Sequence, residues 1–241
     1  MKQLESYIAL DLETTGLNPK KDKIIEIGAV KVCDGNVVDT FQTLVYPGIH
    51  IKEEVEKLTG ISNEMVKYAY NINEVVPKFL EFAKDLPLVG HNIMFDYSFI
   101  KKAIVNYGEA YERLGIDTLK LSRKFLPNLE KKNLNYVCEY LNIKNENHHR
   151  ALNDALAAHI IFEKLKKQFY HSNLEQFQWK PLLFKVKKEQ PMTKFQKEYL
   201  IDFIKYHKIV ININIDLLTK SECSRLIDTL ISQYGRVKRN K

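Results

Sequence analysis

Two carboxylates placed two residues apart in an otherwise apolar strand constrain this chain more than any other feature. In Tyr7-Ile8-Ala9-Leu10-Asp11-Leu12-Glu13 the two-residue period of a strand puts Asp11 and Glu13 on one face, with Ile8, Leu10 and Leu12 on the other. Carboxylates about 4 Å apart repel by roughly 4 kcal/mol at an effective dielectric near 20. That is a large share of what a small domain has to spare. Either the pair stands at an exposed strand end or a cation relieves it, and Mg2+ or Mn2+ prefers all-oxygen ligands.

Two later segments carry acids of the same kind. Asp96, in Gly90-His91-Asn92-Ile93-Met94-Phe95-Asp96, stands where a helix should start, a position where the helix dipole favours an anion. In His149-Arg150-Ala151-Leu152-Asn153-Asp154, Asp154 follows His149 by one and a half turns. It shares a face with Ala151, Ala155 and Ala158, whose small side chains let a helix approach a sheet closely. His149 alone reads as a surface histidine, and His148 beside it does not fit the spacing.

The pattern around these segments is that of an α/β protein. Residues 6 to 13, 23 to 32 and 37 to 46 read as an antiparallel meander, with Asp34-Gly35-Asn36 as a tight turn. Helical periodicity follows at Lys52 to Leu58 and Asn73 to Lys84, then a short strand at Leu86 to Gly90 and a helix from near Phe95. Ile116 to Thr118 is a last short strand, before helices at Leu119 to Phe125, Leu134 to Leu141 and Ala151 to Phe169. The expected plan is a mixed sheet flanked by helices over residues 1 to 170.

Residues 171 to 190 lose periodicity, contain Trp179, Pro181 and Lys185-Val186-Lys187-Lys188, and are expected to form a linker. Residues 191 to 241 read as a small α/β or helical module. Thr193-Lys194-Phe195-Gln196 and Thr219-Lys220-Ser221-Glu222 both have capping-box spacing. Phe195, Tyr199 and Phe203 repeat as one helix face, and Ile209, Ile211, Ile213 and Ile215 alternate as in a strand. A final stripe of Cys223, Leu226, Ile227, Leu230, Ile231 and Tyr234 is closed by Gly235.

Composition narrows the class. The 241 residues, 45% hydrophobic, support one good core and a smaller second one. Residues 180 to 241 hold 14 Lys and Arg against 6 Asp and Glu, leaving 23 against 24 elsewhere. Phosphate attraction is therefore expected in the C-terminal quarter. Cys33, Cys138 and Cys223 are odd in number and lack C-x-x-C spacing, which argues against a disulfide framework or zinc site and reads as three reduced core thiols. Neither a signal-peptide pattern nor an apolar run near 18 residues is present, so a cytoplasmic protein without a membrane segment is expected.

Asp11-x-Glu13-Thr14-Thr15-Gly16-Leu17, Gly90-His91-Asn92 with Phe95-Asp96, and His149-x-Ala151-x-x-Asp154 together resemble, in order and separation, the three motifs of the DEDDh 3′-to-5′ exonucleases. That group includes the proofreading subunit of bacterial replicative DNA polymerase, ribonuclease T and oligoribonuclease. The resemblance covers about residues 1 to 170 and departs at no catalytic position. It implies an RNase H-like mixed α/β fold in which Asp11, Glu13, Asp96 and Asp154 hold two divalent ions, Mg2+ or Mn2+, about the scissile phosphate. His149 would take the proton from the attacking water, with activity rising toward alkaline pH.

The resemblance also implies substrate contacts. Thr14, Thr15 and Gly16 would lie against the terminal nucleotide, with Leu17 beside the last base. Leu58, Gly60 and Ile61 would form a second wall of the 3′-end pocket. His91, Asn92 and Phe95 would complete the set, Asn92 by bonding the sugar-phosphate backbone. A turn before Asn18-Pro19 explains Gly16 as well, and a helix C-cap explains Gly60. Asp117-Thr118-Leu119 also matches a family stretch and is assigned to fold support.

The implied substrate is a single-stranded or frayed 3′ end of DNA, cut to nucleoside 5′-monophosphates in proofreading or repair, with a DNA polymerase as a candidate partner. Trimming of RNA is the alternative within the class. A non-catalytic nucleic-acid-binding polymerase adaptor is the alternative outside it, and the complete acid set argues against that. The C-terminal run Leu218 to Ile227 resembles a small helical appendage of bacterial nucleic-acid proteins. Its lysines, interleaved with Trp179, Phe184, Phe195, Tyr199 and Tyr206, suit phosphate contact with base stacking, though a solvated face over an aromatic core explains them equally.

Overall fold

A computed structural model describes residues 6–144 and 150–237 and forms two compact units, Met1–Pro47 with Ile51–Val186, and Gly48–His50 with Lys187–Lys241. The first unit is built on β1 (Ser6–Thr14), β2 (Ile24–Cys33), β3 (Asn36–Leu44), β4 (Leu88–Gly90), β5 (Leu114–Asp117) and β6 (Lys180–Pro181). They lie in the order β3-β2-β1-β4-β5-β6. The first three pair antiparallel, β4 and β5 run parallel to β1, and β6 returns antiparallel to β5. The expected mixed sheet is present. Asp34 and Gly35 make the β2–β3 turn with φ of 51° and 76°, a twist that suits a two-residue hairpin loop.

Alternation along β1 sorts its side chains between two cores. Ile8, Leu10 and Leu12 join one cluster with Val75 and Phe79 of α3 (Ile72–Ala83) and Tyr97 and Ile100 of α4 (Met94–Tyr107). Tyr7 and Ala9 join the other, with Leu121 of α5 (Thr118–Phe125), Val137 of α6 (Leu134–Tyr140) and Ala155, Ile161 and Phe162 of α7 (Ala151–Phe169). Asp11 and Glu13 continue the Tyr7–Ala9 row, so the two acids emerge on the α7 side. The short helices α1 (Glu53–Thr59) and α2 (Asn63–Val66) enclose a third cluster of Ile25, Ile51, Ile61 and Val66.

The stretch expected to be a linker divides at Val186. Residues 171 to 186 complete the first unit, because their apolar side chains fill both cores. Phe177 is 1% exposed and Leu182 6%, and the Trp179 ring lies 6.1 Å from that of Tyr7. Trp179 and Phe184 therefore pack in the first unit and do not serve the C-terminal module as a stacking surface.

The second unit pairs α8 (Lys194–His207) with α9 (Lys220–Tyr234) around Leu200, Phe203, Cys223 and Leu230. Both expected capping boxes form, at Thr193 with Gln196 and Thr219 with Glu222. Phe195 falls outside the expected helix face and is 72% exposed. Residues 209 to 215 alternate in exposure as their isoleucines predict, but only Ile213 bridges, to Ile49. One bridge does not make a ladder, so the expected strand is an extended segment that ends in the 3-10 turn Ile215–Leu217. Cys138 and Cys223 are core thiols, whereas Cys33 is exposed, because it closes β2 at the hairpin turn. Among the described residues, no helix is long and apolar enough to cross a membrane.

Candidate active site

The site forms where β1, β2, α4 and α7 meet. Across the β1–β2 ladder Asp11 faces Gly28, and Glu13 faces Glu26. A Cβ on Gly28 would fall 2.1 Å from the Ala151 carbonyl carbon and the Leu152 nitrogen, so only glycine admits the first turn of α7 there. Ala151, Ala155 and Ala158 are buried along that approach. Their small side chains bring Asp154, 8% exposed, down to β1. Carboxylate oxygens of Asp11, Glu13 and Asp154 lie within 4.8 Å of one another.

Asp96 arrives from the other direction, in the first turn of α4. It is 3% exposed, and its Oδ1 accepts the backbone N–H of Leu12 at 3.0 Å. This bond ties α4 to the strand between the two β1 acids.

The electrostatics follow from this crowding. Burial raises the Asp11 carboxyl well above the usual carboxylate range, and the fields of Asp96, Asp154, Glu13 and Glu26 add to it. Glu13 is pushed up to about 8 by burial and by Asp154 and Glu26, against the opposing pull of Arg150. Burial also raises Asp96, with the Leu12 N–H opposing. Without a cation, Glu13 holds its proton near neutral pH, and Asp11 and Asp96 are displaced in the same direction. An all-oxygen anionic set of this kind fits a hard divalent ion, whose charge would displace those protons.

Glu26 and Arg150 were not singled out by the sequence reading. Glu26 is fully buried. Its carboxylate accepts from Arg150 Nη2 at 2.7 Å and Nε at 3.1 Å, from the Ala151 N–H at 3.0 Å and from Gln42 Nε2 at 3.0 Å. The available signal was a lone acid in the apolar run Ile24-Ile25-Glu26-Ile27.

The substrate-side expectations separate into two groups. Leu17 and Leu58 are 84% and 59% exposed, open to a ligand. Thr14 and Thr15 are buried and brace the turn, Thr14 donating to the Gly16 carbonyl and Thr15 accepting the Lys23 N–H. Gly16 lies where a Cβ would strike the Asp22 carboxylate at 2.6 Å. Gly60 caps α1 at φ 68°. Ile61, expected in the pocket wall, is fully buried with Ile25 and Ile51; an apolar residue just after a left-handed cap folds back onto the core.

His91 also leaves the substrate-binding set. Its Nε2 donates to the Lys132 carbonyl at 2.7 Å and its Nδ1 bonds Thr118 Oγ1 at 2.9 Å, while burial lowers its pKa. Asn92 is exposed at φ 70°, its N–H held by Asp117 Oδ1, which also accepts the Leu119 N–H. The structure thus gives Asp117 and Thr118 the supporting role expected of them. Phe95 packs against Phe99 with ring centroids 5.0 Å apart. His149 and His148 lie outside the described residues.

Comparison with known proteins points to one family. The sequence model of the exonuclease family, RNase_T, matches residues 8–162. Over 168 residues the chain is 45% identical to a DNA polymerase III PolC-type of Clostridium perfringens, covering 68% of this chain and 12% of that protein. It is 39% identical over 166 residues to the DNA polymerase III subunit epsilon of Aquifex aeolicus, covering 68% of this chain and 82% of that subunit. The chain thus spans about an eighth of the PolC-type protein and most of the epsilon subunit. Among solved structures, exonuclease X in complex with 5′ overhanging duplex DNA aligns with TM-score 0.55 at 25% identity, covering 68% of this chain and 91% of that one. Exonuclease I aligns with TM-score 0.60 at 18% identity, covering 71% and 45%; at that identity it speaks for the fold.

Proposed function

The chain belongs to the exonuclease family, and from that premise we propose that it removes nucleotides from the 3′ end of DNA, releasing nucleoside 5′-monophosphates. The observation that carries the reading is the meeting of Asp11, Glu13 and Asp154 oxygens within 4.8 Å, beside a buried Asp96 fixed to the same strand. Two divalent ions, Mg2+ or Mn2+, held by these four acids would neutralise charge on the scissile phosphate and on the attacking and leaving oxygens. The acids themselves fix the place of reaction at the end of β1. His149 accepts the proton of the attacking water; its place in the third motif supports that role, and an imidazole has suitable basicity. Leu17 and Leu58, both exposed, lie against the terminal nucleotide.

The DNA substrate is supported by the kinship with the Aquifex subunit, and so is work alongside a DNA polymerase in proofreading. The second unit, with 12 Lys and Arg against 6 Asp and Glu over residues 187 to 241, adds phosphate attraction for longer strands. Matched 5′-labelled DNA and RNA oligomers, single- and double-stranded, with Mg2+, Mn2+ or chelator, test the reading. Stepwise shortening of DNA that needs metal sustains it, and products from RNA alone would move the assignment to RNA trimming. Anisotropy of a labelled strand across a salt series, for the full chain and for residues 1 to 186, tests the basic unit. Loss of phosphate contacts flattens the log–log slope by about 0.7 per contact on single strands.

A further inference from the structure

Helix α7 starts without a cap of its own. Arg150 occupies the cap position and supplies no side-chain bond to the first turn, although the exposed N–H groups of a first turn need acceptors. Glu26, 124 residues earlier, takes that place by accepting the Ala151 N–H, and it grips the Arg150 guanidinium through Nε and Nη2. Gln42 on β3 holds the same carboxylate from the other side. Glu26 lies two residues along β2 from Gly28, where α7 presses on the sheet, and the Ala151 N–H it holds is three residues before Asp154. Both Glu26 oxygens are engaged and the side chain is fully buried, so this acid, though opposite Glu13, is not presented to a metal.

We propose that Glu26 is a positioning residue that acts as a pair with Arg150: by capping α7 and clamping Arg150 it sets Asp154 against Asp11 and Glu13. The inference rests on the exonuclease reading for its kinetic consequence but not for its structural one. With Glu26 removed, the Gly28 contact still holds α7 on the sheet, while the first turn loses the acceptor that fixes its rotation and height. The Asp154 carboxylate is then no longer held within reach of both β1 acids. A purely architectural ion pair would lower stability without altering metal affinity.

The test uses the full chain with Glu26→Gln, Arg150→Gln and the double variant, and Glu26→Asp as the conservative control. In Glu26→Gln, Mn2+ affinity by calorimetry is expected to fall about 10-fold or more, the usual size of an outer-shell effect on a metal site. Hydrogen exchange of the segment 151–158 in chelator should rise. Turnover of an oligothymidylate should fall by about 10 to 100-fold with KM within about two-fold. Glu26→Asp, which keeps the charge, should recover part of the loss. The double variant should be no worse than the worse single variant, as for residues that act as one unit. Wild-type Mn2+ affinity and exchange in Glu26→Gln, or strictly additive losses in the double variant, would overturn the pairing. If wild-type protein cuts no oligomer, the exonuclease reading falls, and the affinity and exchange data still decide this one.

Discussion

Glu13 and Glu26 face each other across the β1–β2 ladder, and the two sides of that ladder treat the same side chain in opposite ways. On the β2 side Glu26 is fully buried and surrounded by donors from Arg150, Ala151 and Gln42. On the β1 side, among the described residues, no hydrogen-bond donor reaches Asp11 or Glu13; burial raises both, with the fields of Asp96 and Asp154 adding at Asp11 and those of Asp154 and Glu26 at Glu13. A buried carboxylate with its donors supplied belongs to the architecture; carboxylates crowded together without donors are prepared for a cation from outside.

The strongest way to break this contrast is to remove one acid from each side. Asp11→Asn should abolish turnover and yet raise the melting temperature in chelator at alkaline pH, where ionisation of the crowded carboxyls sets in, because it deletes repulsion and deprives no partner. Glu26→Ala should lower the melting temperature. Its cost should be about 2 kcal/mol, below the 3–5 kcal/mol of fully buried pairs, because the Arg150 side chain is 36% exposed and solvent screens it. Thermal melts of both variants read the signs directly, and equal signs would erase the distinction.

Gly28→Ala probes the seam between the two sides. A methyl group 2.1 Å from the α7 backbone must push the helix outward, at about 1–3 kcal/mol. Displacing Asp154 by even 1 Å should lower turnover by about 100-fold. Single-turnover kinetics on the folded variant check this, and an unchanged rate would mean that the close approach does not place the acid.

A pH series reads the crowding without altering any residue. In chelator the folded protein retains the Glu13 proton up to about 8, whereas the unfolded chain releases it near the ordinary value of 4.5. The native state therefore binds the extra proton between those values, and stability must fall as pH rises through that window. Asp11 and Asp96 shift in the same direction and add to the slope. Mn2+ should flatten it by taking the protons' place. Melts from pH 5 to 8 with and without metal make the comparison, and a stability that rises with pH in chelator would contradict the crowding.

Much of this corner was legible in the sequence for local reasons. The period of two put Asp11 and Glu13 on one face, the Asp34-Gly35 turn fixed the β2–β3 register, and the alanines of α7 announced a close approach. Glu26 was not legible, because the β1–β2 connection is long and leaves their register open, and its partner Arg150 is 124 residues away. Ile61 and His91 entered the pocket set through the family resemblance, yet tertiary packing turns the first inward and gives both nitrogens of the second to the protein. Ile209 to Ile215 carries the pattern of a strand without a neighbour to complete one.

The exposed thiol at the end of β2 has a practical use. Cys138 and Cys223 are buried, and burial raises both, Cys138 to about 11, so a maleimide at neutral pH has Cys33 as its accessible target. Cys33 stands five residues along the strand from Gly28, about 16 Å at strand rise. A dye carried there would sit on the same sheet as the acids without crowding them. One conjugation step would thus give a fluorescent reporter of strand binding that leaves the natural sequence unaltered.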